Sequence, residues 1–209
     1  MSRWLRLRRP RVALTLSGEP VDLSHIAPGT RLDVTVADAC TRGWVTVPPP
    51  GLRDLGELRA VAEARFEAVF HEPATAWCIE ADWSAERAFV CSAVPRSLLE
   101  ALQAPGITVR SVVPQWVRAF NQVPQRALTR EPLALVCAFG PQGVAALFMQ
   151  EGVPLDWRQH WCAPGEALQC LRSQALVTGC ELPTQAWALG ELGALPQGMR
   201  WHRVVGGVA

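Results

Sequence analysis

The chain has 209 residues, 49% of them hydrophobic and 19% charged, which is enough apolar material for one large or two small folded units and too much for a disordered segment. Its formal charge of +1 supplies no global attraction to nucleic acid, and all 20 of its basic residues are arginines. The lack of lysine excludes a Walker A loop, a Schiff-base enzyme and a serine–lysine dyad, each of which depends on that amine.

The chain opens on a basic run, Arg3, Arg6, Arg8, Arg9 and Arg11, which reads as a solvated arm with anionic lipid headgroups as its alternative contact. Val12, Leu14 and Leu16 then alternate with smaller or polar residues, as do Leu32, Val34 and Val36, and Trp44 to Val47 is a third short apolar run. This spacing predicts three strands in succession. Pro48-Pro49-Pro50-Gly51 halts the pattern. Asp54 and Glu57 follow at capping-box spacing, ahead of a helix whose Leu58, Val61, Ala62, Phe66, Val69 and Phe70 must pack on a sheet. Arg59 and Glu63 form an i, i+4 pair on its exposed face.

Trp77, Ile79 and Ala81 alternate again, and the polar segment Asp82 to Glu86 returns the chain into Ala88 to Val94, which predicts a hairpin. Pro95 suits the start of a helix containing Leu98, Leu99 and Leu102, and Pro105-Gly106 ends it before a strand over Ile107 to Val113. Pro114 introduces a short helix, Gln115 to Gln122. The stretch 123–131 carries prolines and polar residues with little periodicity, so it reads as a linker between a first unit, 1–122, and a second, 132–209.

The second unit opens with Leu133 to Phe139, turns at Gly140-Pro141-Gln142-Gly143, continues as Val144 to Met149, and turns at Gly152 into a third strand around Val153 to Trp157. Leu168, Leu171 and Ala175 have helical spacing with Gly179 as the stop, and a last strand spans Gln185 to Leu189. Both halves thus read as strands in antiparallel succession, then a helix, then a further strand.

Seven scattered cysteines, mostly in apolar runs, fit buried reduced thiols. Val12 to Leu16 is too short for a signal-peptide core, and no run approaches the roughly 20 apolar residues of a membrane span. A soluble, cytoplasmic protein is expected.

Three segments carry a family resemblance. RAFVCSAVPRSLLEALQAPGITVRSVVPQWVRAFN, Arg87 to Asn121, is a β-α-β-α unit; LALVCAFGPQGVAALFMQEGVPLDWRQ is a hairpin leading into a third strand; WALGELGALP is a glycine-containing strand and turn. Together they resemble the actin-like ATPase superfamily, and within it the PilM-type pilus-assembly proteins and the cytoplasmic domain of the type II secretion L component. The resemblance implies an α/β fold of two mixed-sheet subdomains of actin-like (ribonuclease H-like) type, in a truncated or degenerate version. It also implies that Gly140 and Gly143 stand at a phosphate turn, and Gly190 and Gly193 where the family approaches adenosine. The family's acids are missing, however. No carboxylate precedes Gly18 in Val12-Ala13-Leu14-Thr15-Leu16-Ser17-Gly18, and Cys137-Ala138-Phe139-Gly140 has none either.

The implied role is therefore a non-catalytic scaffold of a type IV pilus or type II secretion inner-membrane platform. Such a scaffold is peripheral to the inner membrane, binds the cytoplasmic tail of a membrane partner and takes no cofactor. The alternative is an actin-like nucleotide-binding ATPase or kinase, with ATP as its ligand.

The remaining chemistry has plainer readings. Gly140, Gly143, Gly190 and Gly193 also suit turns that need positive φ. His160, Cys162, Cys170 and Cys180 are zinc-type ligands without a finger's spacing. Glu80, Asp82 and Glu86 belong to a polar turn before any acid–base pair. Of nine tryptophans, Trp77, Trp116 and Trp187 read as packing, whereas Trp83, Trp157, Trp161 and Trp201 have polar neighbours and include the candidate binding anchors.

Overall fold

A computed structural model describes residues 11–17, 21–140, 142–190 and 197–204. The chain runs through β1 (Arg11–Leu16), β2 (Arg31–Val36), β3 (Arg42–Thr46), α1 (Leu55–Phe70), β4 (Trp77–Ala81), β5 (Phe89–Pro95), α2 (Arg96–Ala101) and β6 (Thr108–Pro114). It continues through α3 (Gln115–Gln122), α4 (Gln125–Arg130), β7 (Leu133–Gly140), β8 (Gly143–Gln150), β9 (Val153–Trp161), α5 (Ala167–Thr178), β10 (Gln185–Gly190) and β11 (Arg200–Arg203). The basic run from Arg3 to Arg9, Gly18 and Gly193 lie outside the described residues.

The second half folds as its pattern predicts. β7, β8 and β9 form an antiparallel meander, with Leu133 opposite Gln150 and Gly140 opposite Gly143 in the first hairpin. After α5 the chain returns as β10, parallel to β7, giving a sheet in the order β11-β10-β7-β8-β9. The edge strand β11 was not legible as a separate strand, because four residues, Arg-Trp-His-Arg, carry too little alternation.

The first half departs from the expected antiparallel succession. β1, β2 and β6 make a three-stranded sheet that is parallel throughout. The segment 17–30 between β1 and β2 is long enough for a crossover, and alternation within a strand carries no information about its direction. β3 leaves this sheet altogether and joins the β4–β5 hairpin in a second antiparallel sheet, ordered β3-β5-β4.

Helices bury the sheet faces. Asp54 caps α1, its Oδ1 accepting the Glu57 N–H at 3.0 Å, and Glu57 in turn accepts the Arg53 N–H. Leu58, Ala62 and Phe66 of α1 then pack on Trp44, Trp77 and Phe89 of the β3-β5-β4 sheet. The Arg59 guanidinium lies over the Trp83 ring, 5.8 Å from its centroid. The five-stranded sheet is covered on one face by Leu171 and Ala175 of α5, and on the other by Trp116 and Ala119 of α3.

The expected linker 123–131 is mostly the short helix α4, whose Leu128 is fully buried against that second face. One buried leucine in six residues is too little for a sequence period to register. Among the described residues no helix is long and apolar enough to cross a membrane.

Candidate functional site

The two halves meet at the C-terminal ends of their strands, where ligands commonly bind in α/β sheets. Ser17 follows β1, Ala37 to Ala39 follow β2, Gln115 begins α3, and the β7–β8 turn supplies Gly140, Gln142 and Gly143. With Gln159 and Trp161 of β9 these residues enclose a cavity of about 80 Å³. That volume is well below the roughly 300–1,000 Å³ of ordinary small-molecule pockets.

Two of the three described candidate glycines sit where neighbouring strands of the five-stranded sheet approach closely. Gly143 has φ +147°, and a Cβ there would stand 1.9 Å from the His160 carbonyl oxygen. Gly190 has φ +107°, and a Cβ would stand 2.0 Å from the Phe139 oxygen, its neighbour across the β10–β7 pair. Both positions therefore require glycine for close backbone approach. Gly140 faces open space.

The junction does contain an acid, which the sequence pattern did not single out. Asp38 is only 8% exposed, and its Oδ1 accepts the Trp116 N–H in the first turn of α3 at 2.9 Å. Burial pushes its carboxyl up to about 7, against the opposing pull of that hydrogen bond. Nearby, Gln159 Oε1 is buried with no hydrogen-bond partner among the described residues. The available signal was a carboxylate set directly after the apolar strand Leu32–Val36 and flanked by alanines, a poor place for a solvated charge.

Asp38, Ala39, Gln159 and Trp161 also line a much larger groove of about 700 Å³. It lies where β3, an edge of one sheet, meets β9, an edge of another. Gly43 lets the Trp157 ring lie against β3, since a Cβ at 43 would be 2.6 Å from that ring. Trp157 stacks in turn on Trp116, with centroids 5.2 Å apart. Arg65, Val69 and Phe70 of α1 form the third wall.

Asp156, at the groove's border, and His160 both reach α5. There the Gln174 amide donates to Asp156 Oδ2 at 3.1 Å and its oxygen meets His160 Nε2 at 2.7 Å. His160 is thereby engaged by an amide, and among the described residues no three His, Cys, Asp or Glu side chains gather as metal ligands. The cysteines are free thiols; burial pushes Cys91 up to about 12, and Cys162, beside Cys170, up to about 11. Glu80, Asp82 and Glu86 belong to the β4–β5 hairpin region, where Ser84 Oγ accepts the N–H groups of Glu86 and Arg87.

Trp77, Trp116 and Trp187 are buried as expected. Of the candidate anchors, Trp157 is a packing residue at 8% exposure, and Trp161 stands 60% exposed at the groove.

A chain of a PilM–PilN type IV pilus biogenesis complex superposes with a TM-score of 0.57 at 15% identity, over 82% of this chain and 68% of the other. The fold is actin-like. The cytoplasmic domain of EpsL, an inner-membrane component of the type II secretion system of Vibrio cholerae, matches with a TM-score of 0.53 at 16% identity, over 83% of this chain and 68% of that domain. A Bacteroides thetaiotaomicron protein of actin-like ATPase fold and unknown function matches with a TM-score of 0.51 at 10% identity, over 78% of this chain. The chain spans 61% of that protein's length. No family model and no curated protein matches the sequence. The actin-like fold here has a parallel first sheet and a narrow junction between the halves.

Proposed function

We propose that this chain is a non-catalytic scaffold of a type IV pilus or type II secretion inner-membrane platform, cytoplasmic and peripheral to the membrane, holding the tail of a membrane partner in the β3–β9 groove. The observation that carries this reading is the contrast in space. The junction where phosphates would sit offers about 80 Å³, while the adjoining groove offers about 700 Å³. Asp38, the carboxylate that lines the junction among the described residues, is buried with its carboxyl raised to about 7, which suits it poorly to holding a metal–phosphate pair at neutral pH. Two edge strands beside the groove suit an extended peptide, which gains affinity from main-chain hydrogen bonds and selectivity from side-chain pockets. The folds of the PilM–PilN chain and the EpsL domain support the setting.

Calorimetric titration with magnesium ATP, paired with a thermal-shift measurement, tests the non-catalytic part. The expected result is no saturable heat and an unchanged melting temperature. Saturable binding with a raised melting temperature would replace this reading with an actin-like ATPase or kinase.

A further inference from the structure

Three arginines line the groove, and their electrostatic states differ. Arg42 is held by Glu72 at 2.9 Å and lies over the Trp77 ring, 5.0 Å from its centroid. Arg158 is held by Asp156 at 2.8 Å. Arg65 is exposed on α1 and has no acid partner among the described residues; the helix positions three and four away from it are Val61, Ala62, Ala68 and Val69. The lining carboxylates offer little in return. Asp156 already accepts from Arg158, Gln174 and Thr178, and Asp38 is buried, its oxygen bonded to the Trp116 N–H. Arg65 is thus the unneutralised charge that the groove presents.

Around it the groove is apolar where it opens to solvent. Val47 is 74% exposed, Val69 41% and Trp161 60%. They come from three separate elements, the end of β3, α1 and the end of β9, yet face one groove. Scattered exposed apolar residues need no explanation, but convergence of three on a concavity marks a surface meant to be covered. β3 and β9 are both sheet edges, and no main-chain hydrogen bond joins them among the described residues.

We infer that the groove's occupant is an extended, apolar peptide segment carrying a carboxylate that pairs with Arg65, its apolar side chains seated on Val47, Val69 and Trp161. This rests on the peptide-binding reading proposed above and specifies its chemistry. The carboxylate forms a bidentate contact with Arg65 that a lysine-type or neutral segment cannot make.

A random-peptide library displayed on phage, selected on the full chain, provides the test. The expected pool alternates apolar residues and contains aspartate or glutamate. Individual peptides from it should bind Arg65→Glu about tenfold more weakly or worse, the loss of one charge-assisted contact, and should bind Leu176→Asp, altered on the far helix, as well as the parent. A pool of neutral or basic peptides that still loses binding to Trp161→Asp would overturn the acidic segment while keeping the groove. A pool indifferent to both Trp161→Asp and Val69→Asp, or no selectable pool, would overturn the groove reading itself. Matching thermal melts of the variants show that each is folded.

Discussion

The junction and the groove share Asp38, Ala39, Gln159 and Trp161, yet one encloses about 80 Å³ and the other about 700 Å³. The difference lies in what faces inward. Beside the junction, paired strands approach so closely at Gly143 and Gly190 that no side chain fits. At the groove, two sheet edges pack with the Trp157 ring laid against Gly43, and side chains line the concavity beside them. The same four residues thus border a narrow junction and, beside it, a wide groove.

The sharpest way to break this comparison is at the turn. Gly143→Ala should destabilise the protein by about 4 kcal/mol, combining positive-φ strain with a clash against the His160 carbonyl. Gly140→Ala, which meets nothing within 4 Å, should cost under ~1 kcal/mol. Urea unfolding of both variants decides it. A tolerated Gly143→Ala would mean that β8 and β9 do not approach this closely at the turn.

Gly43→Ala attacks the groove's floor. Its methyl would stand 2.6 Å from the Trp157 ring, so the ring must leave its stack on Trp116. Overpacking of this kind costs about 2 kcal/mol, read as a lowered unfolding midpoint. The expected loss is smaller than at Gly143 because an indole can shift where a backbone carbonyl cannot.

These two glycines also mark how far the sequence could be read. The hairpin at Gly140 to Gly143 and the helix ending at Gly179 were legible, since a period changes on either side of each and the turn residues are explicit. Gly43 sits unmarked inside an apolar run, and nothing local to β3 announces Trp157, more than a hundred residues away. Strand direction was illegible for the same reason: Val12 to Leu16 alternates identically whether β2 runs with it or against it. The groove arises because β3 leaves the first sheet, a choice made by tertiary packing of Trp44 on α1 rather than by any local pattern.

Asp38 touches both regions, and its titration sharpens the contrast between them. Its folded-state carboxyl titrates near 7, above the 3.8 of an unperturbed aspartate, so the folded protein holds a proton that the unfolded chain has released between those values. Stability contributed by this group is then fullest below about pH 4, falls as pH rises through 7, and levels off above it. Asp38→Asn keeps an oxygen for the Trp116 N–H without the charge. It should raise stability by about 2 kcal/mol at pH 8 and change little at pH 4, so that its unfolding free energy varies less with pH than the parent's. Equal pH dependence in the two proteins would show that the carboxylate is solvated, and the junction more open than its 80 Å³ indicates.

The smallest effect is expected at the groove's rim, and its smallness is the informative part. Trp161 is 60% exposed and Val47 74% exposed, so Trp161→Ser and Val47→Ser should each shift stability by no more than ~0.5 kcal/mol in thermal melts. A tryptophan that the folded chain does not need for stability, set beside a valine and an uncompensated arginine in one concavity, has its apolar surface available for something outside the chain. A large loss on either substitution would instead make the rim part of the core, and the groove would then be a packing defect between two sheets instead of a binding surface.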